Sequence, residues 1–399
     1  MHWQPSGLQT VALAIVSTSL SNLPLWLLTG FAPQVVHDLE FGNVGIGAGI
    51  ATFFGVSALL SIKAGRLIEV IGWQRGMILS AGLSLLSLLG VALVAHSYPV
   101  LIALLALGAI GFTVAHPSAN LALAGGVAHH RQGVAFGVKQ ASLPVTTLMV
   151  GVAVPVFAQE GSWRWAFVTS AAITFGFLAL LLGMLAPVVW RMRQGRRLQA
   201  LERRGTTNER QKPPRALVIL AVGAGLGSAA TASLGGFLVV YAVASGLTPS
   251  SAGRLLAVAS LVCLASRLVT GYVADRRGRR HLPVVSLMML SGSVGFGLLA
   301  VPGSLWLLVT GAILAFGIGW AWNGLYVFAI VHNHRTYPAL ATGVVQTAIG
   351  TGSAGGPLLF GLTVSLLGYS MAWAGAGLAL AAGAGMVALG RSFLAKDAR

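Results

Sequence analysis

The sequence predicts an all-α membrane protein whose twelve transmembrane helices form two six-helix halves related as a parallel repeat. Three observations carry that fold class. Only 8% of the 399 residues are charged while 56% are hydrophobic, whereas soluble domains carry about 25% charged residues. Apolar runs of roughly 20 residues, long enough to cross a bilayer, recur twelve times. The two halves align without gaps at an offset of 206, which matches Gly65 with Gly271, Gly72 with Gly278, Gly111 with Gly317, Gly137 with Gly343 and Gln140 with Gln346. This composition excludes an ordinary soluble globule, a coiled coil and a disordered chain.

Taken in order, the first half (residues 1–189) holds expected spans near 8–31, 45–62, 77–96, 99–126, 137–158 and 165–189. The first is no signal peptide, because residues 1–7 contain no Lys or Arg and the apolar run continues too long. His116-Pro117 is expected to interrupt the fourth helix, since proline kinks a helix and frees a carbonyl. Residues 190–215 (WRMRQGRRLQALERRGTTNERQKPPR) form a basic linker. The second half (residues 216–399) holds spans near 216–244, 251–272, 282–301, 304–330, 340–365 and 370–390. The 53 Gly and 15 Pro scattered through these runs suit membrane helices, which tolerate both. The single cysteine, Cys263, supports no intrachain disulfide.

A net charge of +17 suggests nucleic acid in a soluble protein, but the placement of the charge decides otherwise. With the N-terminus inside, 21 of the 25 Lys and Arg fall on cytoplasmic connections and the tail. That asymmetry predicts both termini cytoplasmic, in a bacterial inner (plasma) membrane, and needs no nucleic-acid partner. Trp3, Trp73, Trp163, Trp165 and Trp190 fall at expected interfaces and read as belt anchors.

Two connections carry a motif. After the eighth span stands Gly271-Tyr-Val-Ala-Asp275-Arg276-Arg277-Gly278-Arg279-Arg280, and after the second a degraded copy, Gly65-Arg66-Leu67-Ile68-Glu69-Val70-Ile71-Gly72-Trp73-Gln74-Arg75. The glycines allow tight helix ends and close approach, and a carboxylate there can cap a helix or pair with basic residues. The ordinary alternative is a charged turn that obeys the positive-inside rule. These stretches resemble the loop motif G-x-L-A-D-R-x-G-R-R of the major facilitator superfamily, with Val273 in place of Leu. Gly350-Thr-Gly352-Ser-Ala-Gly355-Gly356-Pro357 is similar to the family's glycine-rich eleventh helix. Phe136-Gly137-Val138-Lys139-Gln140-Ala141 with Pro144 and Pro155, Trp163-Arg164-Trp165-Ala166-Phe167, and Gly253-Arg254 ahead of Arg267 resemble its cyanate- and nitrate-permease-like branch. The resemblance implies alternating access by rocking of the two halves about a central site, and a gate built from Gly65, Glu69, Gly72, Gly271, Asp275, Arg276, Gly278 and Arg279.

Ionisable groups inside a bilayer are costly and therefore functional candidates. Here they are Lys139, Arg254, Arg267 and His116, and none of the eight acidic residues falls inside an expected span. A mobile anion can supply the missing negative charge. Lys139 lies eight residues beyond Arg131, roughly 12 Å into the fifth helix, either in contact with solute or held by backbone carbonyls. Arg254 enters the eighth helix from the outer side, and its fork suits a planar anion; snorkelling is the rival reading. Nitrate and oxalate carriers of the superfamily use an arginine in the eighth helix, which the resemblance extends to Arg254. Lys139 and Arg254 are expected to share one anion between the fifth and eighth helices. Arg267, four residues before Gly271, is assigned to the cytoplasmic gate, with solute contact as the rival reading. His116 either carries a proton, binds solute or bonds irregular backbone. Trp320, Trp322, Asn323, Gln140 and Gln346 can complete a polar site with aromatic walls, or simply pack helices.

No enzyme pattern is present. No lysine is followed by Ser or Thr, so no phosphate-binding loop exists, and His129, His130, His332 and His334 have no carboxylate or cysteine beside them. No cofactor is expected. The expected partners are a small solute (an anion), the lipid bilayer and protons, with the chain acting as a monomer. The function expected is secondary active transport. Its rivals are proton-coupled export of drugs or lipophilic cations and a non-transporting sensor. The fifth helix shows only Gly151 and Pro155 of the drug/proton antiporter pattern G-x-x-x-G-P-x-x-G-G.

Overall fold

Helices begin where the sequence supplies a cap, a glycine or a proline. Gly7–Gly30 (α1) starts under Ser6, whose hydroxyl accepts from the Gln9 N–H while the Gln9 side chain accepts from the Ser6 N–H, a reciprocal capping box. Ala32–Asp38 (α2) is a short helix not anticipated from sequence. Asn43–Ile71 (α3) and Trp73–Val94 (α4) are divided by Gly72 at φ +84°, a left-handed turn that glycine adopts without strain. Tyr98–Gly126 (α5), Gln132–Lys139 (α6), Ser142–Phe157 (α7) and Trp163–Leu185 (α8) follow. Arg215–Ala244 (α9), Pro249–Arg277 (α10), His281–Leu299 (α11), Leu305–Ala312 (α12) and Trp322–Asn333 (α13) continue the chain. Pro338–Asp397 (α14) is divided into two arms by Gly368 at φ +83°. This computed structural model describes residues 6–128, 132–158, 163–185, 214–277, 281–333 and 338–397.

With the arms of α14 counted separately, and α6–α7 and α12–α13 each counted as one span, the described residues hold twelve helices long and apolar enough to cross a membrane, in line with the hydropathy pattern. Three expectations need correction. Pro117 does not interrupt the fourth span, because α5 runs unbroken past it. The fifth span is not one helix; it turns at Gln140–Ala141 between α6 and α7. The tenth span widens into a π-helical segment, Ile313–Ile318, and then turns at 319–321. Most of the basic linker (through residue 213), Trp3, His129, His130, Arg131, Trp190, Gly278, Arg279, Arg280 and His334 lie outside the described residues.

Small residues set the packing, as is usual where lipid offers no hydrophobic drive between helices. Ser80 and Ser87 of α4 donate to the carbonyls of Gly111 and Leu104 on antiparallel α5. Ser19 of α1 donates to the Ser142 carbonyl of α7, and Thr146 donates back to the Ser19 carbonyl. Two further pairs cross antiparallel. Helix α3 meets the first arm of α14, where Gly47 faces the Pro357 carbonyl and Gly361 faces the Asn43 carbonyl so closely that a Cβ on either would overlap it. Helix α7 meets α10, where Gly151 lies against Ala257 and Gly253 against Val154.

These crossings close only one end of the bundle. At the end away from the chain termini, Tyr369 donates to Asn43 Oδ1 (3.1 Å) beside the glycine contacts. Toward the end that carries the termini, the last glycine contact between α3 and α14 is Gly350 against Ala58. Beyond it, Gly65, Gly137, Gly271 and Gly343 would meet nothing within 4 Å even if each carried a Cβ. Leu59 and Ile62 of α3 are 81% and 70% exposed there.

Candidate functional site

The site begins with a proline. Pro144 sits in the first turn of α7, where proline is tolerated, and it has no N–H for the carbonyl four residues earlier. That carbonyl belongs to Gln140, at the turn after α6. Arg267 of α10 supplies the missing donor through Nη1, and through Nη2 it donates to the Trp320 carbonyl (3.3 Å) at the other broken span. One guanidinium therefore ties two discontinuities together, in line with the rule that irregular backbone at membrane depth is satisfied within the protein.

Lys139 ends α6 next to that turn and is 4% exposed. Its Nζ donates to Asn120 Oδ1 (3.0 Å) and lies 3.2 Å from His116 Nδ1, two residues one helical turn apart on α5. His116 Nε2 is buried with no hydrogen-bond partner among the described residues. Phe112 packs edge-on against the His116 ring (4.6 Å) and also contacts Phe53 and Phe54 of α3. Among the described residues no carboxylate pairs with Lys139 or Arg267. The cluster is a buried cation, a histidine and an amide, with a second cation bonded to the residue next to Lys139.

Above the cluster the centre is sealed by aromatic rings. Trp26 of α1 and Trp320 meet edge to face (5.4 Å), and Phe316 closes on Trp320 (4.7 Å). Both indoles seat on Gly235 of α9, where any side chain would collide with them. Trp26 Nε1 donates to Asn22 Oδ1 (3.3 Å) one turn back.

Other expected site residues lie elsewhere. Arg254 is exposed and donates to Ser251 Oγ (3.2 Å). It stands level with Val154, about 22 Å along the helix axis from Lys139, so the two do not share an anion as expected. Trp322 is fully buried against Gly227 and Tyr326, in packing rather than in a site wall. Asn323 is half-buried, and Gln346 is exposed on α14. Asn120, Ser260 and Thr147 were missed. Ser260 Oγ donates to Thr147 Oγ1 (2.8 Å) in the buried α7–α10 contact. The sequence signal for Asn120 was its four-residue spacing from His116, which puts both on one helix face.

A family model described as Major Facilitator Superfamily matches residues 14–335. The chain belongs to the major facilitator superfamily. No curated protein matches the chain. This superfamily member is a membrane-embedded transporter and not an enzyme. Of its two loop motifs, Gly65 lies on α3, Glu69 is exposed there, and Gly72 makes the turn into α4. Gly271 is exposed on α10; Asp275 and Arg276 lie on its last turn with only their backbone described. The Trp163-Arg164 pair of this transporter has a clear structural role. Arg164 donates to the Val91, Ala92 and Ala95 carbonyls that end α4, and Trp163 Nε1 donates to Asp38 Oδ2 (2.6 Å). Trp163 is fully buried and so is no belt anchor, whereas Trp165 is 61% exposed as a belt residue should be.

Proposed function

We propose that this transporter moves a small anion by secondary active transport, with the Lys139 cluster and Arg267 as its solute site. One observation carries the reading: Lys139 and Arg267 converge on the Gln140 turn, one of them buried, with only neutral partners among the described residues. An isolated intramembrane cation is unfavourable, and an anion seated there supplies charge-assisted hydrogen bonds. A lipophilic cation meets repulsion at the same place, which argues against the drug-export reading.

The six-helix halves, residues 1–189 and 216–399 joined by the basic linker, rock about this site. With both termini in the cytoplasm of a bacterial inner membrane, on the positive-inside argument, the conformation described faces inward. The loop motifs, Asp275 foremost, gate that side. Within the superfamily the Trp163-Arg164 pair and the Lys139 stretch support a place near the cyanate- and nitrate-permease-like branch. A monomer suffices, because one chain supplies both halves.

The test is uptake into proteoliposomes of nitrate, oxalate and succinate beside a lipophilic cation, tetraphenylphosphonium. Lys139→Gln and Arg267→Gln should each weaken anion uptake about tenfold or more, the range of a lost charge-assisted bond. Arg254→Gln should matter much less. Robust transport of the cation, undiminished in both Gln variants, would overturn the anion reading. Cysteines at Thr206 and Gly42 test sidedness: an impermeant thiol reagent should label only position 42 from outside.

A further inference from the structure

We propose that Lys139 and His116 form a carboxylate-free proton carrier, so that each monovalent anion entering the site is accompanied by one proton. The proposal rests on the anion reading above and goes beyond it by naming the coupling ion, its acceptor atom and the stoichiometry.

The geometry leaves room for one hydrogen between the two groups. Lys139 Nζ lies 3.2 Å from His116 Nδ1, so with the lysine charged Nδ1 is the acceptor and the imidazole is neutral. Its remaining proton is then on Nε2, a buried donor with no partner among the described residues. Protonating Nδ1 as well would set two positive charges against each other at that distance, which disfavours the second charge. No other charge among the described side chains relieves it. Helix α1 carries no titratable side chain, and on α3 and α4 Lys63, Arg66, Glu69 and Arg75 are exposed. On α10 Cys263 and Arg267 face the interior, Arg254 is exposed, and Asp275, Arg276 and Arg277 lie on the last turn. On α13 the Tyr326 hydroxyl is bonded to the Leu220 carbonyl, and His332 lies in the last turn. On α5 the one further titratable group is Tyr98, bonded to the Gly45 carbonyl at the far end.

An arriving anion changes this balance. It accepts from Lys139 Nζ and from the idle His116 Nε2–H, and turning the ammonium onto the anion frees the Nδ1 lone pair. That lone pair takes a proton from hydronium on the side to which the site is open: one N–H bond forms as one O–H bond of the hydronium breaks, and a neutral water molecule is left behind. Ammonium, imidazolium and monovalent anion together carry the same +1 as the empty pair. The occupied and empty carriers therefore bear equal charge, and the cycle is electroneutral.

The experiment uses the full chain in proteoliposomes with nitrate as probe and a pH dye inside. Counterflow at equal pH tests whether nitrate is a solute at all. A pH gradient, acid outside, tests coupling, and one-to-one electroneutral symport predicts a nitrate plateau that rises about tenfold per pH unit, with one proton entering per nitrate. The plateau is independent of rate, so His116→Gln, however slow, should level off near equal concentrations. Wild-type nitrate counterflow together with no proton entry under the pH gradient, or a His116→Gln plateau that still follows the gradient, overturns the carrier and leaves the anion reading standing. Absence of counterflow with nitrate, oxalate and succinate overturns both.

Discussion

Arg164 illustrates how much one side chain can hold at a helix end. Its guanidinium gives three hydrogen bonds of 2.9–3.3 Å to the last carbonyls of α4, and its plane stacks over the Trp163 ring at 4.4 Å. A cation at a helix C-terminus also meets the negative end of the helix dipole. Arg164→Ala should therefore cost roughly 1–2 kcal/mol, read as a lower unfolding temperature in detergent, with solute affinity unchanged. A loss of affinity at full stability would show instead that Arg164 reaches the transport path. The residue scale is also where sequence reading separates best from structure. Lys139 stood out because a lysine inside an apolar run is conspicuous whatever it touches. Its companion Asn120 did not, since its four-residue spacing from His116 shows a shared helix face but not that Lys139 folds back onto it. Trp163 differs for a related reason: tryptophan beside a loop fits the interface equally well, and its full burial and its bond to Asp38 tell the two apart.

Between elements, the broken spans matter more than the regular ones. Pro144 deprives the Gln140 carbonyl of its helical donor and Arg267 replaces it, so the proline and the arginine are two halves of one device. Arg267→Met should destabilise the fold by about 1.5–3 kcal/mol, measured by thermal unfolding. Pro144→Ala restores the N–H and should make the arginine less necessary. A double-mutant cycle should then show the two changes to be non-additive, as for groups that share a partner; strict additivity would separate them. Hydropathy could place the fifth and tenth spans because span length depends on composition. It could not see the turns inside them, because glutamine, alanine and tryptophan break a helix only when another element offers their carbonyls a donor.

At the scale of the molecule, the glycines matched by the repeat acquire a common meaning. Gly65, Gly137, Gly271 and Gly343 all lie toward the open end, where a Cβ would meet nothing within 4 Å, whereas Gly47, Gly151, Gly253 and Gly361 pack tightly at the closed end. Gly343→Leu and Gly65→Leu should thus fold normally and stop transport by blocking closure of the open end. Spin labels at Ile62 and Thr347 should then report one long distance in place of two. Undiminished transport in both variants would mean that this end never closes over those positions. Gly47→Val should have the opposite effect, prying apart the end that is now shut. The architecture was legible in the chain because apolar length and the internal repeat survive any conformational change. Which end stands open was not, since both arrangements satisfy the same hydropathy and the same repeat.

The open end also makes water a participant in the cycle. A vestibule that closes must release what fills it, and the number of water molecules released is the quantity conjugate to water activity. Polymers too large to enter the vestibule stay outside it, and exclusion of a cosolute favours the form with less accessible surface. The balance between the two conformations is thereby tied to osmotic pressure in the compartment that the termini face. The same four glycines that leave room for closure thereby give the cycle a response to crowding.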